Sequence, residues 1–381
     1  LELFKGQENL NSIIGRAYAT HNWAAIIAPL FVGLIADRYF NAEKVNGVCH
    51  ILGAGMLWYA STIPDPSIFV WVMLGYFLLY MPTLALVNAI SFANIQEPEK
   101  EFPAIRVWGT IGWIIAGFIV AQSVIGFVDV PLIKSLTGVD NAQKTNIPLL
   151  MCAMVSLVYG LYSFTLPACL PGAKGTPMSI KKAFGLDALQ LFAKPGFAVF
   201  AVCSFLICVP LAFYYARTND FISEMAFGEK SASYMTIGQI SEVAFMLLVP
   251  FFLVRLGVKK MLLIGMLAWT LRYGLFAMFP SSTAMLLIGV ALHGICYDFF
   301  FVTGQLYTDR IAPREIRASA QALIGLLTYG AGMLVGNLVL GSWGDHIKLD
   351  GGSKEGWLAG ASQFWGMPAL ARLCYDLLQL G

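Results

Sequence analysis

Tyr234-Met-Thr-Ile-Gly-Gln239-Ile-Ser-Glu242-Val-Ala-Phe245-Met246-Leu-Leu-Val-Pro-Phe-Phe-Leu-Val254, followed at once by Arg255-Leu-Gly257-Val-Lys259-Lys260, is the stretch that decides the fold. Its first part is one apolar run of the length a membrane helix needs, about 20 residues for a hydrocarbon core about 30 Å thick. An amide and a carboxyl sit in the middle of that run, and a short basic turn ends it. A charge at the centre of such a helix costs roughly 2.5–3.5 kcal/mol on insertion scales, so a residue like Glu242 normally faces an interior path and carries function. The turn reads as cytoplasmic, because Lys and Arg accumulate on that side.

Working outward, the same pattern fills the chain. Hydrophobic residues make up 58% of the 381 and charged residues 12%, with a mean hydropathy of +0.71. A soluble domain of this size carries about 25% charged residues. Spans are expected near 12–36, 45–63, 67–92, 104–128 and 147–167, then near 194–217, 232–254, 260–280, 284–306 and 317–342, with a last, irregular one near 357–379. The Pro- and Gly-rich connector 168–193, with three lysines and Lys194 just after it, separates an N-terminal half (1–167) from a C-terminal half (194–381). One set of loops carries Arg38, Lys44, Lys181, Lys182, Arg255, Lys259, Arg310 and Arg314, and is read as cytoplasmic. The opposite set dilutes Lys134, Lys144 and Lys230 with Asp65, Asp140 and Asp220. This puts Leu1 outside, and a further helix is expected before it, giving six plus six spans. Arg372 and Asp376 interrupt the last run, as in a truncated or shifted end.

Three charged residues stand within or near the ends of apolar runs: Arg106, Glu242 and Asp298. Arg106, Thr110 and Trp113 follow i, i+4, i+7 spacing and share a helix face. Pro103 suits the first turn of that helix, and Gly109 and Gly112 suit a close neighbour. The alternative leaves Arg106 snorkelling at the boundary. Gln239 and Glu242 share a face at i, i+3. A buried carboxyl is costly to charge, so Glu242 can load and release a proton near neutral pH; the alternative is a permanent pair with Arg272 or Arg106. His293, Tyr297 and Phe301 share a third face beside Asp298. Aromatic plates of this kind suit a flat heterocycle, worth roughly 1–3 kcal/mol per stacked base, although such a stripe also serves plain packing. His21, Asn22, Asn88, Asn94 and Asn337 read as interhelical hydrogen-bonding residues.

Several classes are excluded by absence. The net charge of +2 with no basic cluster gives nucleic acid nothing to hold. No G-x-x-x-x-G-K-[ST] loop exists for ATP, no metal-ligand grouping and no G-x-S-x-G elbow. The seven cysteines form no C-x-x-C pair and read as small buried hydrophobes. No cofactor is expected and no enzyme motif appears. A membrane-embedded transferase using Asp298 or His293 would lack a catalytic grouping.

A repeat appears between the halves: Gly33-Leu-Ile-Ala-Asp37-Arg38 with Lys44 occupies the place that Arg255 to Lys260 takes in the second. Two such halves resemble the parallel repeats of the major facilitator superfamily, whose G-x-x-x-D-R loop the first turn approaches, with Phe40 where glycine is usual. Five runs, Tyr80 to Ser91, Phe102 to Gly112, Gln239 to Glu242, Tyr297 to Phe300 and Ile316 to Gln321, resemble the nucleoside:proton symporter family of that superfamily, in order from about residue 13 to 342. The resemblance implies an all-α, multi-pass protein of the bacterial inner membrane, a monomer in the lipid bilayer, that imports nucleosides with protons by alternating access. It implies a substrate site of Arg106, Thr110, Trp113, Gln239, Glu242, His293 and Tyr297, with Glu242 and Asp298 as proton-coupling candidates. Trp113 stands where the family carries phenylalanine and His293 where it carries tyrosine. The family's polar pair falls on Ala212 and Tyr215, which leaves the preferred nucleoside open. It also leaves a symporter of sugars or other small polar metabolites as the alternative.

Overall fold

A computed structural model describes residues 9–31, 39–96, 98–170, 186–313, 316–347, 349 and 353–380. Among them the chain is helical almost throughout. Helices α1 (Leu10–Phe31), α2 (Ala42–Ala60), α3 (Pro66–Ala93), α4 (Pro98–Ala121) and α5 (Ile147–Ser163) form a first set. Helix α6 (Pro195–Ile222) begins a second. The continuous run Ser231–Met278 is broken by Gly257, at φ 72° and ψ 169°, into α7 (231–256) and α8 (258–278). Gly257 is needed there because positive φ is nearly free only for glycine. Then come α9 (Thr283–Ile311), α10 (317–346) and α11 (Lys354–Leu380). Four stretches among the described residues are long and apolar enough to cross a membrane: Pro66–Ser91, Pro195–Met278, Thr283–Ile311 and Ala320–His346.

Local chemistry sets several boundaries. Helix α3 starts where Asp65 accepts from the N–H groups of Ser67 (2.7 Å) and Ile68 (3.2 Å), with Pro66 in the first turn. Such a cap satisfies donors that the first turn leaves free. Helix α4 differs from expectation at both ends. It begins at Pro98, ahead of Pro103, and stops at Ala121 well before residue 128. Beyond it, Gln122 (φ 52°), Ile125 (φ 48°) and Gly126 (φ 74°) leave the helical region. The chain then forms a two-stranded hairpin, β1 (Ser123–Val124) antiparallel to β2 (Val128–Asp129), the one departure from an all-α chain among the described residues.

Within the first set α1 packs on α3, and α2 on α3 and α5; within the second, α6 packs on α10, α9 on α7 and α8, and α11 on α8. The irregular last run is firmly helical and joins the core. Trp357, Phe364 and Trp365 are fully buried, with Trp365 stacked on Tyr273 at 5.9 Å. The side chains of Arg372 and Asp376 lie outside the described residues, as do Gly33 to Arg38 and most of the 168–193 connector.

Two helix pairs join the sets: α1 with α10, and α4 with α7. Their close approaches come from glycines. An added Cβ on Gly344 would stand 2.8 Å from Asn11, and one on Gly117 2.8 Å from Thr236. Gly109 and Gly112, expected to serve this purpose, do not: a Cβ there would meet nothing within 4 Å. The expectation failed because the face that a glycine presents depends on the crossing point, which spacing along one helix does not specify. Apart from the bonds that Asn22 makes in the middle of α1, the hydrogen bonds between the sets gather at one end. Asp345 accepts from the N–H groups of Asn11 and Ser12, both at 3.1 Å, and from the Ser12 hydroxyl. Gln143 accepts from Ser231 (3.0 Å) and Ala232 (3.2 Å), and Lys144 pairs with Glu224 at 2.8 Å. Lys230 pairs with Asp129 at 2.9 Å.

Candidate functional site

At Gly117 and Thr236, α4 and α7 touch; from there the two helices run on with Thr110 and Trp113 on one side and Gln239 and Glu242 on the other. Thr110, Trp113 and Gly117 lie on one face of α4 by helical spacing. Trp113 is 66% exposed and the glycines beside it are uncrowded, so this part of α4 borders open space. Gln239 is half-buried and has no hydrogen-bond partner among the described residues. The backbone of Arg106 is helical, but its side chain lies outside the described residues.

The second set gathers the other expected residues. Helices α7 and α9 meet closely because Gly238 faces His293 and Gly294 sits against Ser241, whose hydroxyl donates to the Ala291 carbonyl at 2.5 Å. That contact places Glu242 opposite His293, with Oε2 to Nε2 at 3.5 Å. Glu242 therefore faces an imidazole, and no ion pair joins it to Arg272 among the described residues. The His293 ring is sandwiched, stacked on Tyr214 (5.4 Å, 14° between planes) and on Tyr297 (5.8 Å, 29°). Tyr297 continues to Phe301 at 5.2 Å, so the expected aromatic stripe is a real column. The Tyr297 hydroxyl meets that of Tyr329 on α10 at 2.8 Å.

Asp298 follows directly on α9, at the start of a wide helical turn, Asp298–Val302. Its side chain is fully buried, and neither carboxyl oxygen has a hydrogen-bond partner among the described residues. A buried anion without donors costs several kcal/mol, as an order of magnitude.

Sequence reasoning named Arg272 only as a pairing partner and did not anticipate Tyr214 or Tyr329. Arg272 is buried behind the ring column, its Nε donating to the Gly289 carbonyl at 2.9 Å. Tyr329 carries the column to the first set: its carbonyl accepts from Asn22 Nδ2 at 2.8 Å, and Asn22 Oδ1 accepts from Asn337 at 2.8 Å. Of the expected interhelical amides, Asn22 and Asn337 act so. Asn94 instead donates to Ile90 within its own helix, at 2.8 Å. Among the described residues no cluster of His, Cys, Asp and Glu could hold a metal ion.

Residues 3–372 match a family model described as "Nucleoside H+ symporter". YegT of Escherichia coli (strain K12), whose description as a nucleoside transporter is provisional, is 43% identical over 328 residues, 85% of this chain and 74% of that protein. The xanthosine permease of the same organism is 33% identical over 354 residues, 89% of this chain and 81% of that protein. The crystal structure of the nucleoside transporter NupG superposes with a TM-score of 0.81 at 28% identity, covering 97% of this chain and 90% of that one.

Proposed function

The chain belongs to the nucleoside H+ symporter family, and from that premise we propose that it imports nucleosides with protons through a site between its two helical sets. The fold is that of the major facilitator type, all-α and membrane-embedded. The observation that supports the mechanism is the gathering of two carboxyls, an imidazole and a stacked aromatic column on neighbouring turns of α7 and α9, α7 being the helix that meets α4 at Thr236.

In this reading Trp113 and Tyr297 supply flat surfaces for a base, while Thr110, Gln239 and Arg106 offer hydrogen bonds to its edge or to the ribose. Glu242 and His293 contact the substrate from the second set. A ligand touching both sets binds tightest when they approach, so binding biases the equilibrium between the two exposures of the site. Glu242 and Asp298 carry the proton. Both are ionisable, and Asp298 is buried with no donor to its carboxyl among the described residues, so proton exchange there requires the site to open to water. We assign the protein to a bacterial inner membrane as a monomer, with the 255–260 turn cytoplasmic.

Uptake of radiolabelled uridine into vesicles, with and without an imposed pH gradient, tests this directly. Accumulation above equilibrium only when the outside is acidic is the expected result. Binding measured across uridine, adenosine, xanthosine and a disaccharide should stabilise the protein for nucleosides; stabilisation by the disaccharide alone would move the substrate to sugars. A site built to hydrogen-bond its substrate rejects analogues that leave its polar groups unpaired. Gln239→Ala and Trp113→Ala should each weaken nucleoside binding while leaving insertion intact.

A further inference from the structure

Behind the ring column lies a buried permanent cation with no described carboxylate partner. The Arg272 guanidinium sits over the Tyr214 ring at 4.1 Å and over Trp269 at 4.9 Å. Its Nε is satisfied by Gly289, but both terminal nitrogens lack hydrogen-bond partners among the described residues. Tyr214 in turn stacks nearly parallel on His293, and its own hydroxyl has no hydrogen-bond partner among the described residues. The sequence of contacts runs from α8 to α6 to α9 and ends at Glu242 on α7.

We propose that Arg272 and Tyr214 are positioning residues of the coupling site, in which the guanidinium holds the Tyr214 ring, Tyr214 holds His293, and His293 presents Nε2 to Glu242. This rests on the transport reading above. Three observations support it. First, a fully buried arginine that only filled space would cost more than an apolar residue of its size, and here the charge is retained against two aromatic faces, where a cation gains by attraction to the ring. Second, among the described residues no hydrogen bond to Nδ1 fixes the orientation of the His293 ring, so the stacks on Tyr214 and Tyr297 and the contact with Glu242 help to set its plane. A neutral imidazole has one N–H and one bare nitrogen; with Nε2 as the donor toward Glu242, the unpartnered Nδ1 is the bare one. Third, helix packing already brings the rings together. Gly238 admits the His293 side chain, an added Cβ there standing 3.2 Å from that of His293.

A residue that positions the coupling pair should affect proton-driven accumulation more than exchange measured at saturating uridine, where a weakened substrate contact at His293 is masked and no net proton entry is needed. The experiment compares uridine accumulation under a pH gradient with uridine counterflow in the parent, Tyr214→Phe, Tyr214→Leu and Arg272→Lys. Tyr214→Phe keeps the ring and loses only an unpartnered hydroxyl, so it should match the parent in both assays. Tyr214→Leu removes the plate, and Arg272→Lys replaces the flat guanidinium with a compact ammonium. Each should lower accumulation roughly thirtyfold, the size expected for losing a desolvated cation–π contact, with counterflow little changed. Equal loss in both assays means a structural role only and overturns the proposal, as does a Tyr214→Leu protein that accumulates like the parent. If Tyr214→Leu does not reach the membrane, Arg272→Lys decides by the same two outcomes. A parent that fails to accumulate uridine sinks the transport reading and this inference with it. A parent that accumulates while both variants match it sinks this inference alone.

Discussion

Glu242 shows how one residue's meaning depends on what it faces. In the sequence it is a carboxyl in an apolar run, read as a proton site with a fixed ion pair to Arg272 or Arg106 as the alternative. The structure sets it 3.5 Å from an imidazole that is itself held between two rings. The contact is therefore between two side chains whose charges are not fixed, and not with the permanent cation of Arg272. Glu242→Gln should keep hydrogen bonding and counterflow but lose pH-driven accumulation, and Asp298→Asn should do likewise. If both amide variants concentrate uridine against a gradient as well as the parent does, neither carboxyl couples the proton. Arg106 was legible as an intramembrane charge near a helix start, and its role at the site remains the resemblance's implication.

Among the elements, the crossing of α7 with α9 builds the site, and its crossing point was not written in periodicity. Gly294 sits against the Ser241 backbone, so a methyl group there must push the helices apart. Gly294→Ala should destabilise by about 1–3 kcal/mol, the usual penalty of overpacking. Gly112→Ala should be neutral or stabilising by up to about 1 kcal/mol, from helix propensity alone. Thermal unfolding in detergent would separate the two, and equal shifts would show that the crossing is looser than described. The helix spans themselves were readable because apolar runs of membrane length need no tertiary information to recognise. The hairpin after α4 was not, because its residues are as apolar as the helix before it and only their dihedral angles differ.

At the scale of the whole molecule, two helical sets are joined mainly through α1 with α10 and α4 with α7, with polar ties concentrated where the 122–146 connection runs. Asp345 is central to these, since it caps the start of α1 with three donors from Asn11 and Ser12. An acidic group at a helix N-terminus also gains roughly 0.3–1 kcal/mol from the helix dipole. Asp345→Asn should loosen this end. A cysteine at Ser12, labelled from the outside of whole cells, should then react faster than in the otherwise unchanged protein. An unaltered labelling rate would mean that Asp345 does not hold the ends together. Labelling also tests orientation: a cysteine at Lys144 should react from outside, and one at Arg310 should not.

The sequence by itself determined the class of the protein, its helical spans, the polar residues that interrupt them, and the family those residues resemble. These follow from local length, hydropathy and motif order, all of which are one-dimensional quantities. Only the tertiary structure decided that Glu242 faces His293 instead of Arg272, that Gly117 instead of Gly112 carries the α4 contact, and that Trp357, Phe364 and Trp365 are core. It alone brought Arg272 against Tyr214, Tyr214 against His293, and His293 opposite Glu242. Each of these depends on which residues of distant helices come within a few ångströms, and that is fixed by the packing of whole helix faces. Spacing along one helix says which side chains share a face, but not what that face meets.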